Sequence, residues 1–105
     1  MNIRFEYLYR DAGNFKNWGQ VIFSNPSNIG AEEVATKAVA LLIDSTWFVA
    51  TQADVPDLHF NDYNDQLDHG WHEVHGFELT DELPNDRESR TIEEFLESLR
   101  SASAH

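Results

Sequence analysis

The chain has 105 residues, 41% of them hydrophobic, with no cysteine and a formal net charge of −12. This length fits one domain, predicted here to span 1–105, and the hydrophobic content is too high for a disordered chain. The lack of cysteine excludes disulfides, thiolate nucleophiles and cysteine-based zinc sites, while the negative charge argues against direct binding to nucleic acid or to an anionic membrane.

The N-terminal segment predicts a β-hairpin. Hydrophobic and polar residues alternate over 3–10, as in a half-buried strand, and 18–24 has the composition of a second strand. Turn-forming residues at 11–17 connect them, and Gly13 and Asn14 are suited to positive φ there.

The middle of the chain predicts a helix and two further strands. A hydrophobic stripe over 31–43 indicates an amphipathic helix, and the β-branched and aromatic residues of 46–51 favour a strand. Pro56 and recurrent Asp and Asn indicate a long acidic loop at about 52–70. Residues 71–79 then resemble a strand, although their alternation is imperfect.

The C-terminal segment predicts a polar linker at 80–90 and then a helix. Thr91 and Glu94 have the spacing of a capping box, hydrophobic residues follow at helical spacing, and fraying is expected after about 101. The order β-β-α-β-β-α predicts an α+β fold, in which an antiparallel sheet of three to four strands has two helices packed on one face.

The negative charge is concentrated in one part of the sequence. Residues 1–53 have a net charge of −1, whereas 54–97 contain fourteen acids and two bases. Such a field attracts cations or a basic protein surface. We therefore expect a non-enzymatic binding module of inhibitor, immunity or DNA-mimic type with a basic protein partner. The expected acidic binding surface comprises Asp57, Asp62, Asp65, Asp68 and Glu73.

Histidines within the same region support an alternative, a metal-dependent enzyme that uses residues 57–75. Imidazole and carboxylate groups are ligands for Zn, Mn or Fe, and the candidate ligands are His59, His69, His72 and His75. A helix would place the last three on one face, but on the predicted strand His69 and His75 face away from His72. A solvated acidic loop without a metal or other cofactor is the competing interpretation.

The hairpin loop is a second candidate binding site, for a small anion or a peptide. It combines two cations with two aromatic residues and an amide, namely Arg10, Asn14, Phe15, Lys16 and Trp18. Exposed aromatics can act as anchors in recognition. The alternative is that these aromatic side chains fold back onto the core.

Other chemistry has little support in the sequence. No G-x-S-x-G, P-loop or G-x-G-x-x-G pattern is present, so the chain is expected not to be an enzyme of those classes. No hydrophobic run approaches the roughly 20 residues of a membrane-spanning helix, and the start lacks signal-peptide features. The expected location is the cytoplasm.

Three short segments resemble a known family. Residues 5–16 read FEYLYRDAGNFK, 56–60 read PDLHF, and 71–73 read WHE. Together they resemble a family of small, uncharacterised bacterial proteins, with the resemblance extending over about 3–97. It implies a bacterial cytoplasmic protein and supplies no activity, cofactor or catalytic residue.

Overall fold

The computed structural model describes residues 1–60 and 70–103. The sheet is antiparallel and has the strand order β2-β1-β4-β3. This confirms the predicted α+β fold with an antiparallel sheet and two helices. The elements in chain order are β1 (Asn2–Arg10), β2 (Lys16–Phe23), α1 (Ala31–Val39), β3 (Trp47–Phe48), β4 (His72–Thr80) and α2 (Ile92–Ala102).

Both helices cover the same side of the sheet. Alternation along β1 directs Ile3, Phe5 and Tyr7 into the core, where they join buried residues from α1 and α2. The Phe5 ring is central, with its centroid 4.8 Å from Phe95 and 5.1 Å from Phe77. Burying one such side chain contributes about 1.5–3 kcal/mol, so each of these residues on the inner face stabilises the fold.

A β-bulge explains the imperfect alternation of β4. Glu6 of β1 is opposite Gly76, but the next residue, Tyr7, is opposite Val74, so His75 is the extra residue. The bulge allows Val74 and Phe77 to face the core although they are three positions apart. It also directs His75 to the opposite side of the sheet, where its ring meets Trp18.

Two predicted elements are shorter than expected. The predicted helix 31–43 ends at Val39, and the chain then turns before Asp44, which has φ 48°. The predicted strand 46–51 is reduced to Trp47–Phe48. The amide of the next residue, Val49, donates to the Ala102 carbonyl of α2 instead of to a strand, and the chain then turns.

The C-terminal helix begins as predicted. The Thr91 hydroxyl accepts from the Glu94 amide at 3.2 Å, and the Thr91 amide donates to the Glu94 carboxylate at 2.9 Å. The helix continues to Ala102, one residue past the predicted start of fraying, and the Ala102 side chain is buried.

Residues 81–90 contain no helix or strand, as the predicted polar linker implies, and two polar residues within them, Asp86 and Arg90, are buried. The same segment also borders β2. The Ile22 amide donates to the Asn85 side chain at 2.8 Å, and the Asn85 amide donates to the Ile22 carbonyl at 3.0 Å. These two bonds protect one end of an edge strand.

Candidate functional site

The first candidate site is a turn at Asp57 and His59, next to the start of β4. Asp57 Oδ1 accepts from the His59 amide at 2.9 Å and lies 3.0 Å from His59 Nδ1. An Asp that bonds the amide two residues later forms an Asx turn, which fixes the orientation of both side chains. The sequence Asp-Leu-His therefore folds into a local unit that joins a carboxylate to an imidazole.

The buried His72 completes this site. It is 1% exposed, and its Nε2 accepts from the Leu58 amide at 2.9 Å. A ring nitrogen that accepts carries no proton, so this geometry places the proton of neutral His72 on Nδ1. Asp57 Oδ1 is 3.5 Å from the same Nε2, but this contact is not an ion pair because that nitrogen already acts as an acceptor.

Neighbouring strands hold this turn in place. The Tyr7 hydroxyl donates to the Pro56 carbonyl at 2.6 Å, and the Asn17 amide group donates to the Leu58 carbonyl at 3.0 Å. Burial raises the pKa of Tyr7, which keeps its hydroxyl protonated as a donor. A Cβ added to Gly19 would lie 3.0 Å from the Leu58 side chain, so the absence of a side chain at Gly19 permits the close approach.

Aromatic rings surround the two imidazoles. The Tyr9 ring meets His59 edge-on at 4.5 Å and lies 5.3 Å from His72, and the two imidazole centroids are 5.2 Å apart. Ligand atoms of Asp57, His59 and His72 all lie within 4.8 Å of one another. Two imidazoles and one carboxylate in a partly buried setting can bind a metal ion or hold a proton.

The predicted histidine cluster is thus only partly assembled. The structure places His59 and His72 together, whereas His75 is exposed on the other side of the sheet against Trp18, with ring centroids 5.0 Å apart. His69 and three members of the predicted acidic surface lie outside the described residues, namely Asp62, Asp65 and Asp68.

The two described members of that acidic surface have internal partners. Asp57 belongs to the turn described above, and Glu73 accepts two hydrogen bonds from Arg10, at 3.0 and 3.1 Å. Their charges are therefore partly compensated within the molecule. The sequence could not reveal the second pair, because Arg10 and Glu73 are adjacent only through the pairing of β1 with β4.

The predicted hairpin site is exposed. Phe15 is 71% exposed and Trp18 is 52% exposed, so these aromatics do not fold back onto the core. Asn14 has φ 67° in the turn and accepts from the Arg10 guanidinium at 2.5 Å. Lys16, the first residue of β2, is also exposed.

A wider surface that the sequence analysis missed continues from Trp18 across the sheet. We call the outer sheet surface formed by Trp18, His75, Trp47 and Trp71 the aromatic face. Trp18 is paired with Leu8 on β1, and Trp47 is paired with Glu73 on β4. The ring centroids of Trp47 and Trp71 are 5.7 Å apart, and Trp71 is 39% exposed. The Arg10–Glu73 pair belongs to the same outer region.

Most cations are already paired with acids. Ion pairs within the described residues involve Arg4, Arg10, Lys37, Arg87, Arg90 and Arg100. The whole chain has nineteen acids and seven bases. The charge that remains available to a partner is therefore predominantly negative.

The other group that sequence analysis missed is a buried ion pair. Arg90 donates from Nε and Nη2 to the two oxygens of Asp86, each at 2.9 Å, and also to the carbonyls of Ala53 and Asp54. Burial by itself raises the pKa of Asp86, but hydrogen bonds and charge from Arg90 outweigh it, so the net pKa is lowered. This pair connects the segment at 86–90 to the backbone at Ala53 and Asp54.

Comparisons with protein families, with curated proteins and with solved structures found no match. The resemblance to a bacterial family therefore stays a prediction. Within residues 1–60 and 70–103, no helix is long and apolar enough to cross a membrane.

Proposed function

We propose that this protein is a non-enzymatic binding module, of inhibitor, immunity or DNA-mimic type, that engages a basic segment of a partner protein through its aromatic face. The observation that carries the proposal is the exposure of Trp18 and Trp71 on a molecule with a net charge of −12. Tryptophan is enriched among the residues that dominate binding energy at interfaces, and burying its large apolar surface against a partner is favourable.

The tryptophans supply the anchoring part of the proposed interaction. An indole face attracts Lys or Arg by cation–π contact, worth about 0.5–1 kcal/mol at an exposed site. Trp18 and Trp71 flank the Arg10–Glu73 pair, so a partner chain that crosses β1 and β4 meets an aromatic side chain on either side.

The acidic side chains supply attraction over a longer distance. Because the Lys and Arg side chains of the described residues other than Lys16 are in ion pairs, their positive charges are partly neutralised, and an approaching basic segment meets a net negative field. Such a field raises the association rate more than the affinity, and salt screens it. Binding should therefore weaken as the salt concentration increases.

A random peptide library selected against the whole protein tests this proposal. We expect the selected peptides to be rich in Lys and Arg, and their binding to decrease in high salt. Trp18→Ala and Trp71→Ala should each weaken binding. Leu83→Ala is the control and should leave binding unchanged. Leu83 is 83% exposed, but it lies away from the aromatic face, because the preceding Glu82 contacts Arg4 near the start of β1. Selected peptides without basic residues, or binding that both tryptophan variants leave unchanged, would overturn it.

A further inference from the structure

The geometry points to a separate site on the inner side of the sheet: we propose that Asp57, His59 and His72 bind a divalent metal ion of the zinc class. His72 is buried on the inner side of the sheet, whereas Trp18 lies on the outer side. The inference is therefore independent of the proposed function.

The distances between the donor atoms suit a small ion. Two ligands that are 2.0–2.2 Å from zinc at a tetrahedral angle are roughly 3.4 Å apart. Asp57 Oδ1 is 3.0 Å from His59 Nδ1 and 3.5 Å from His72 Nε2, so both of these distances between ligand atoms lie close to 3.4 Å. The ligand atoms of all three residues lie within 4.8 Å of one another, so an ion can be surrounded by adjusting these side chains and the peptide at Leu58.

The donor types favour a transition metal. Two imidazole nitrogens and one carboxylate oxygen suit Zn²⁺ and its neighbours, whereas Ca²⁺ and Mg²⁺ prefer oxygen ligands. Three protein ligands leave a fourth coordination position for water or another small ligand. Asp57 is exposed, so this position can be reached from solvent.

Supporting contacts would orient the ligands. The Tyr7 hydroxyl bonds the Pro56 carbonyl, directly before Asp57, and the Asn17 side chain bonds the Leu58 carbonyl, directly before His59. Outer contacts of this kind often change metal affinity by about 10–100-fold when they are removed.

One hydrogen bond must be exchanged when the ion binds. The Leu58 amide donates to His72 Nε2 at 2.9 Å, and a metal ion needs the same lone pair. The Leu58 amide must therefore turn away, which lowers the affinity and gives metal binding a local structural signature. Since Leu58 is only half-buried, its released amide can bond to water.

The experiment uses untagged, chelator-treated protein and Zn²⁺ alone as the probe. We expect one equivalent to bind by calorimetry, with the NMR resonance of the Leu58 amide shifting strongly. Co²⁺ should give the intense visible absorption of a tetrahedral site. His59→Gln and Asp57→Asn, which change half-buried or exposed residues, should each weaken Zn²⁺ binding at least about tenfold.

His75→Gln is the matched control, because His75 is exposed on the other side of the sheet. Zn²⁺ binding by this variant should equal that of the wild type. Failure of the wild type to bind Zn²⁺, or binding that His59→Gln and Asp57→Asn leave intact, would overturn the proposed site. Peptide binding through the aromatic face would be unaffected by either result, so the two proposals fail separately.

Discussion

Replacement of Arg90 by alanine should be the most destabilising single change in the 80–90 segment. The Arg90 side chain is 9% exposed and the Asp86 side chain 1% exposed, and the two form a bidentate pair. Arg90 also bonds the Ala53 and Asp54 carbonyls and lies 5.4 Å from the centroids of two core rings, Phe23 and Phe95. Arg90→Ala removes all these contacts and leaves a buried carboxylate without its cation.

The expected magnitude follows from that unpaired charge. Breaking a buried ion pair by removing one partner costs about 3–5 kcal/mol, whereas the whole stability of a domain is about 5–15 kcal/mol. At roughly 4 °C or more per kcal/mol for a domain of this size, Arg90→Ala should lower Tm by at least about 12 °C.

Chemical denaturation followed by tryptophan fluorescence measures this loss. The matched control is Arg87→Ala, because Arg87 is exposed and its pair with Asp54 spans 3.5 Å, so its loss should cost under about 1 kcal/mol. The double variant Asp86→Leu/Arg90→Met removes both charges and should be more stable than Arg90→Ala. If Arg90→Ala were no more destabilising than Arg87→Ala, the interpretation of this pair as a structural clamp would be refuted.

Two further predictions concern acid stability and the packing of β2. Because the pKa of Asp86 is lowered on folding, its stabilisation is complete above the unfolded pKa of about 3.9 and is lost as pH falls through the folded value. Asp86→Asn should therefore reduce the pH dependence of the unfolding free energy below about pH 4. The same pH dependence in the variant and the wild type would contradict this. Gly19→Val should lower the free energy of unfolding by about 1–3 kcal/mol, because the new side chain forces Leu58 away. Gly76→Ala should leave it unchanged or raise it slightly, because a Cβ at Gly76 meets nothing within 4 Å. Thermal denaturation measures both effects. Equal stability of the two glycine variants would contradict the packing argument.

Features determined by local sequence were predictable. The alternation of 3–10 and the Thr91–Glu94 spacing each specify one arrangement, since strand faces and helix caps depend on residues a few positions apart. The bulge in β4 could not be placed in the same way. Imperfect alternation around His75 indicates an irregular strand, but only pairing with β1 determines which residue is extra.

The candidate metal site could likewise be predicted from the sequence only where it depends on local residues. The Asp57–His59 turn is local, and its two-residue spacing was visible among the acidic and histidine residues of the sequence. Its meeting with His72 depends on where β4 begins and on the close approach of Leu58 to Gly19. Separation of His75 from His72 was predictable, because the segment was expected to be a strand and the two residues lie three positions apart on it.

Strand alternation also explains how one element can serve two proposed sites. His72 and Glu73 are consecutive in β4, so their side chains lie on opposite sides of the sheet: His72 contacts the turn at Leu58, and Glu73 pairs with Arg10 beside the aromatic face. Pairing of Glu73 with Leu8 and Trp47, and of His72 with Phe48, fixes the side of the sheet that each residue faces. A metal ion at His72 and a basic peptide beside Glu73 would then occupy opposite sides of the sheet, so we expect neither ligand to block the other sterically.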